Sequence, residues 1–147
     1  MSLTPAQNAI LKADYLTRPG VLPQIALGNW QNVAGIYNAL SITQLWLPSI
    51  TIATLNAVID WAKYAAFSIQ LQDTYLAMTQ GGVVDATSPT VRSGFSTIFA
   101  SDPATVTNLS NAAQRLGTVF EVLFSAGNVS TLLGHSLTAS EALAANA

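Results

Sequence analysis

The sequence predicts a mainly α-helical protein, a single-domain helical bundle of about four to five helices with an extended connector and a C-terminal tail. Three observations indicate this class. Half of the 147 residues are apolar, which is typical of a folded domain. Thr4, Ser88 and Asp102 each precede a proline, and a capping residue followed by proline marks the start of a helix. Apolar residues between these points recur at helical spacing.

The first predicted helix begins after Thr4 and runs to about Arg18, where Pro19 and Gly20 end it. A connector broken by proline and glycine follows. A second, short helix is predicted over the segment NWQNVAGIYNAL, with Asn29 as its N-cap and apolar residues on one face.

An extended connector is predicted for the segment SITQLWLPSITI, from Ser41 to Ile52. The segment is rich in β-branched residues, alternates roughly between apolar and polar residues, and contains Pro48. Proline is confined to edge strands within sheets. The segment is therefore either an edge strand or an extended arm that joins another chain.

The longest helix is predicted to start near Thr51 and to end near Gln80, before Gly81 and Gly82. Its thirty or so residues would span roughly 45 Å. Apolar residues occur on more than one face, so the helix is expected to be packed on both sides.

Two further helices are predicted, one from Pro89 to about Ala100 and one from Pro103 to about Ser125. Apolar residues of the second helix follow a spacing of three and four, which is typical of the seam of a helical bundle. The helical domain is expected to cover residues 1–127. Residues 128–147 are expected to form a tail with a short strand at VSTLL and a short helix after Thr138.

Charge is scarce in this sequence. Only 12 of the 147 residues are Asp, Glu, Lys or Arg, or 8%, whereas about 25% is usual. Uncharged Ser, Thr, Asn and Gln number 45, and they cost less to desolvate than ions do. This composition predicts that much of the surface contacts other subunits. The alternative is a monomer whose surface is simply rich in these residues.

The same composition excludes several classes of function. Five scattered cations form no basic patch, so binding of nucleic acid through its phosphates is not expected. Without cysteine, disulfides, thiolate catalysis and zinc–thiolate sites are excluded. No segment offers about 20 uninterrupted apolar residues, so a soluble protein with no membrane partner is expected.

No catalytic, cofactor-binding or metal-binding residue can be assigned. The seven acidic residues are isolated, with no pair at helical spacing, and His135 is the only histidine. A hydrolase would need His135 beside an acid, for which Glu141 is the only neighbouring candidate. Arginine and aromatic residues are enriched at interfaces. The candidate interface residues are Trp46, Arg92, Arg115, Leu132, Leu133 and His135.

Four segments resemble, in order, parts of a family of small, uncharacterised proteins encoded among the virion-structure genes of tailed bacteriophages. The segments are LTPAQNAILKAD, GNWQNVAGIYNA, SPTVRSGFSTIFA and TNLSNAAQRLGTVFEVLFSAG, which lie between residues 3 and 127. The resemblance implies a structural role in the virion, assembled in the bacterial cytoplasm, with no enzymatic activity and no cofactor.

Small helical phage proteins of this kind often serve as head–tail adaptors, which form a ring beneath the portal. We therefore expect a head–tail connector subunit that binds copies of itself, the portal and other neck, tail or capsid proteins. The alternatives are a capsid decoration or tail protein and, more remotely, a small hydrolase that uses His135. A membrane-active protein is disfavoured by Asp60, Lys63 and Asp73 within the most apolar predicted helix.

Overall fold

A computed structural model describes residues 2–147, which form ten α-helices and six short strands. Helices account for 54% of the chain, so the prediction of a mainly α protein is confirmed. A bundle of four to five helices is not confirmed, because two long predicted helices are divided into shorter elements.

The helices are short, and most are separated by tight turns or strands. They are α1 (Pro5–Tyr15), α2 (Val21–Ala26), α3 (Trp30–Asn38), α4 (Ile52–Asn56), α5 (Trp61–Tyr64), α6 (Ile69–Thr79), α7 (Pro89–Ile98), α8 (Pro103–Ala112), α9 (Val119–Leu123) and α10 (Ala139–Asn146). The strands are β1 (Leu40–Trp46), β2 (Ile50–Thr51), β3 (Val83–Val84), β4 (Gln114–Thr118), β5 (Ser125–Ala126) and β6 (Val129–Ser130).

The chain divides into two compact units, each with its own apolar core. Unit 1 contains residues 2–43 and 116–147, and unit 2 contains residues 44–115. The chain passes from unit 1 to unit 2 within β1 and returns within β4, and these strands pair in a two-stranded sheet.

The core of unit 1 forms around two tyrosines. Tyr15 of α1 and Tyr37 of α3 are almost fully buried and meet edge to face, with their ring centroids 5.8 Å apart. The Tyr15 hydroxyl donates to the Ala142 carbonyl of α10 at 2.9 Å, which satisfies its polar end inside the core. Burial raises the pKa of Tyr15 above its ordinary value.

The predicted C-terminal tail belongs to unit 1. The expected short strand is present as β6, which pairs antiparallel with β5. The expected final helix is present as α10, and its capping box between Thr138 and Glu141 is complete. The Asn38 side chain links α3 to this segment, because it donates to the Leu137 carbonyl and accepts from the Leu137 amide, both at 2.8 Å.

The core of unit 2 is an aromatic cluster. Phe99 is 1% exposed and lies within 6.3 Å of the rings of Tyr64, Phe67 and Tyr75, measured between ring centroids. Most of these contacts are edge to face, the arrangement that aromatic quadrupoles prefer. Burial raises the pKa of Tyr75 to about 12, and its hydroxyl donates to the Asn56 side chain.

The prediction of one long helix over residues 51–80 is wrong. The Asp60 carboxylate accepts from the amides of Ala62 and Lys63, and the Ser68 hydroxyl accepts from the amide of Leu71. These side chains are N-caps, whose backbone is not helical. The segment therefore forms three helices, α4, α5 and α6.

The prediction of a helix from 103 to 125 is also wrong beyond Ala112. Residues Gln114–Thr118 form β4, and a capping box between Thr118 and Glu121 then begins α9. The apolar residues at three-and-four spacing belong to three separate elements, α8, β4 and α9, and one of them, Leu116, is 42% exposed.

The predicted connectors have more structure than expected. The extended segment predicted for Ser41–Ile52 is confirmed in part: Leu40–Trp46 form β1, which pairs with β4, and Ile50–Thr51 form β2, whereas Ile52 already begins α4. The proline-broken segment after Gly20 contains the short helix α2. Pro23 is tolerated there because it lies in the first turn, where its missing N–H would have had no helical partner.

Capping of α6 by Ser68 predicts a measurable contribution to stability. Ser68→Ala leaves the Leu71 amide without its acceptor and should lower the free energy of unfolding by about 1 kcal/mol. Ser68→Asp keeps an acceptor and should stay close to the wild type. Urea denaturation checks both variants, and an Asp variant as destabilised as the Ala variant would contradict the assignment.

Burial of Phe99 predicts a larger loss. Phe99→Ala removes a ring that contacts three other aromatic residues and should destabilise unit 2 by about 3–5 kcal/mol. Leu27→Ala is the matched control, because Leu27 is 77% exposed and its loss should change stability by no more than about 0.5 kcal/mol. Denaturation followed by tryptophan fluorescence reports on unit 2 through Trp46 and Trp61 and on unit 1 through Trp30. Equal stabilities of the two variants would contradict the description of the core.

Candidate interaction pocket

Unit 2 contains an apolar pocket of about 250 Å³. Residues from β2, β3, α4, α7 and α8 form its walls, together with Trp46 at the end of β1. Most are apolar, and they include Ile50, Val84, Phe95, Val106 and Leu109. Arg92 is the one charged residue among those that line the pocket.

The Arg92 guanidinium is held in a fixed position. Its Cζ atom lies 4.7 Å from the centroid of the Trp46 ring, within the range of a cation–π interaction. Its Nη1 atom donates to the carbonyl oxygens of Ala86 at 2.6 Å and Thr87 at 2.9 Å.

The loop that precedes α7 sets these carbonyls in place. The Asp85 carboxylate accepts from the Thr87 amide at 2.9 Å and from its hydroxyl at 2.5 Å, which closes a tight turn. The Ala86 amide donates to the Leu47 carbonyl at 3.0 Å. The Ser88 hydroxyl then accepts from the Val91 amide and begins α7.

One edge of the Arg92 guanidinium remains available. Arginine carries five N–H donors, and the two carbonyls take those of Nη1. Within residues 2–147, no acceptor is bonded to Nε or Nη2 of Arg92, and no carboxylate forms a salt bridge with it. Nε and Nη2 are a pair of donors that a carboxylate can bind with both oxygens.

The size of the pocket limits what it can hold. Pockets for drug-sized ligands are usually about 300–1,000 Å³, and a cavity of about 150 Å³ is sufficient for a benzene ring. This pocket therefore suits a single large apolar side chain with a carboxylate nearby. Such anchors, buried in a pocket and paired with arginine, dominate the binding energy of many protein interfaces.

The structure brings together two of the six sequence-predicted interface residues, Trp46 and Arg92. They lie far apart in the sequence, and nothing in the sequence pattern indicated their contact. Phe95 and Ser96, also in the pocket lining, were missed. Both lie about one helical turn after Arg92 on α7, so helical periodicity was a signal that could have found them.

The other four candidates lie elsewhere. Arg115 is half-buried in β4, Leu132 is buried in the core of unit 1, and Leu133 is half-buried beside it. The His135 ring packs on Phe120 with their centroids 5.5 Å apart.

His135 has a carboxylate partner, as a hydrolase would require. Its Nε2 atom lies 3.2 Å from Oε1 of Glu141. That carboxylate also caps α10 through Thr138. Burial alone would raise the pKa of Glu141, but the hydrogen bonds from Thr138 and the interaction with His135 lower it overall. In the described part of the chain, no hydroxyl is bonded to the His135 ring.

Asp102 is a buried carboxylate with a structural role. It accepts from the Thr105 hydroxyl at 2.6 Å and from Lys63 Nζ at 2.9 Å. These hydrogen bonds, that of Thr105 first, hold the pKa of Asp102 below its ordinary value. Asp102 thereby begins α8 and connects it to α5.

Comparison of the chain with known protein families, curated proteins and solved structures finds no match. Across residues 2–147, no group of three or more His, Asp or Glu side chains is arranged to hold a metal ion. In the same residues, no helix combines the length and the apolar character that crossing a membrane requires.

The lowered pKa values of Asp102 and Glu141 predict a loss of stability in acid. A carboxylate whose folded-state pKa is depressed stabilises the fold above its unfolded-state value and loses this effect as the pH falls through the folded-state value. The ordinary values are 3.8 and 4.5, so stability should begin to fall below about pH 5. Thermal unfolding between about pH 3 and pH 7 measures the effect.

Asp102→Asn is the variant that isolates one carboxylate. The difference in melting temperature between this variant and the wild type should be largest near pH 7 and should shrink towards about pH 3. A difference that stays constant over this range would contradict the role given to Asp102.

Proposed function

We propose that the protein is a structural subunit of a tailed-phage virion and forms part of the head–tail connector, in a ring beneath the portal. The observation that carries the proposal is a surface with little charge and many large exposed apolar side chains. The four segments that resemble phage virion proteins supply the biological setting.

The exposed apolar residues occur in both units. Single apolar residues on a surface are normal, but a monomer usually surrounds them with interspersed charges that keep it soluble. Here charged residues are only 8% of the chain. The most exposed large apolar residues are Leu16, Leu27, Leu40, Ile42, Ile69 and Leu76.

The strand β1 shows how such a surface could bind another chain. Leu40 and Ile42 alternate with partly buried residues and are 68% and 98% exposed, so they share one face of the strand. The sheet has only two strands, which leaves the other edge of β1 without a strand partner among residues 2–147. Exposed strand edges bind extended segments of other chains through main-chain hydrogen bonds.

The pocket in unit 2 supports the same function. Apolar walls and an arginine stacked on tryptophan are features of protein-binding hot spots. Assembly would cover these surfaces, and the uncharged polar residues around them would lose little on desolvation. Copies that contact each other head to tail close into a ring when the rotation between them allows it.

The composition of purified virions tests the proposal. A connector subunit should be present in mature particles at a small, fixed copy number and should bind purified portal protein. Quantitative mass spectrometry and a portal pull-down measure these properties. A copy number close to that of the major capsid protein would favour a decoration protein. A copy number close to that of the tail-tube protein would favour a tail protein. Absence from mature particles would overturn the structural role.

A further inference from the structure

Asp73 differs from every other carboxylate of residues 2–147. Asp14 pairs with Arg18, Asp85 binds Thr87, and the other four acidic side chains accept hydrogen bonds at helix N-termini. Asp73 accepts no hydrogen bond and forms no ion pair in this part of the chain, and it is exposed on α6.

Two large apolar side chains lie on either side of Asp73. Ile69 is one turn before it and Leu76 one turn after it, and they are 77% and 60% exposed. Residues at these spacings lie on the same side of a helix. We call Ile69, Asp73 and Leu76 the α6 face. It presents one negative charge between two apolar side chains.

The pocket has the complementary chemistry. It offers apolar walls and, at Arg92, the Nε and Nη2 donors that no carboxylate of the described chain binds. No residue of the α6 face lines the pocket, so the two surfaces are separate patches of unit 2. Two such patches on one chain permit a head-to-tail contact between copies. Each copy then contacts one neighbour through its pocket and the other neighbour through its α6 face.

We propose that the α6 face of one copy docks in the pocket of the next copy. The Asp73 carboxylate accepts hydrogen bonds from Nε and Nη2 of Arg92, and Leu76 enters the apolar pocket. The contact is heterologous, so repetition produces a ring or an open filament. This inference rests on the proposed function and specifies one contact through which the subunits assemble.

A charge exchange tests the contact. Arg92→Glu and Asp73→Arg each place like charges across it, so each variant alone should assemble at least about a hundredfold more weakly than the wild type. An equimolar mixture of the two variants should assemble again. In the mixture, one kind of contact joins the two substituted side chains, whose charges are again opposite, and the other kind is the native Asp73–Arg92 pair. Sedimentation velocity of the full chain measures assembly.

Two further variants control for folding and for net charge. Asp73→Asn removes the carboxylate without breaking an internal hydrogen bond or ion pair of the described residues, and it should also weaken assembly. Lys12→Glu makes the same charge change as Arg92→Glu at an exposed position of unit 1, where it removes only the hydrogen bond from Lys12 Nζ to the Ala147 carbonyl oxygen. This variant should assemble as the wild type does. If Arg92→Glu does not fold by circular dichroism, Arg92→Lys replaces it, because lysine keeps the charge but lacks the paired donors.

Several outcomes would overturn the inference. Assembly of either single reversal at the wild-type level would do so, as would a mixture of folded variants that stays monomeric. A wild-type chain that is monomeric at every concentration would also overturn it. Portal binding that Arg92→Glu abolishes in such a monomer would show that a segment of the portal occupies the pocket. In that case the connector function would stand, because presence in the particle and portal binding test it separately.

Discussion

Nine helices among residues 2–147 begin at a Ser, Thr, Asn or Asp side chain that accepts a hydrogen bond from an amide of the first turn. The first four amides of any helix lack a helical acceptor. In helices as short as α4, α5 and α9, these first four amides are most of the backbone amides in the helix. Capping by side chains therefore decides where the chain can start a helix. Because most of the caps are uncharged, a chain with few ions can still provide hydrogen-bond acceptors for these amides. The division into many short elements depends on this interaction.

The same interaction explains what could be predicted from the sequence. Caps followed by proline marked α1, α7 and α8, and Asn29 and Thr138 marked α3 and α10. Asp60, Ser68 and Thr118 were missed because apolar residues continue at helical spacing on both sides of each one. The pairing of β1 with β4 joins segments far apart in the chain, and such long-range contacts override local propensity. Trp46 and Arg92 could be identified as candidates from the sequence. Their contact could not, because it depends on the loop before α7, whose Ala86 and Thr87 carbonyls hold the Arg92 guanidinium.

Several of the few charged residues form ion pairs inside a unit. Asp14 with Arg18, Asp102 with Lys63, and Glu141 with His135 form pairs within a unit. Asp73 and Arg92 do not follow this pattern, since one has no partner in the described chain and the other binds only backbone carbonyls and the Trp46 ring. These two residues of opposite charge lie at separate apolar patches of unit 2, an arrangement that suits assembly of the protein with copies of itself.

The most direct test of this account is an experimental structure of the protein in its assembled form. The account predicts that a carboxylate of a neighbouring copy lies within hydrogen-bond distance of Nε and Nη2 of Arg92, with an apolar side chain of that copy inside the pocket beside Trp46 and Phe95. An assembly in which the pocket of every copy faces solvent would contradict it.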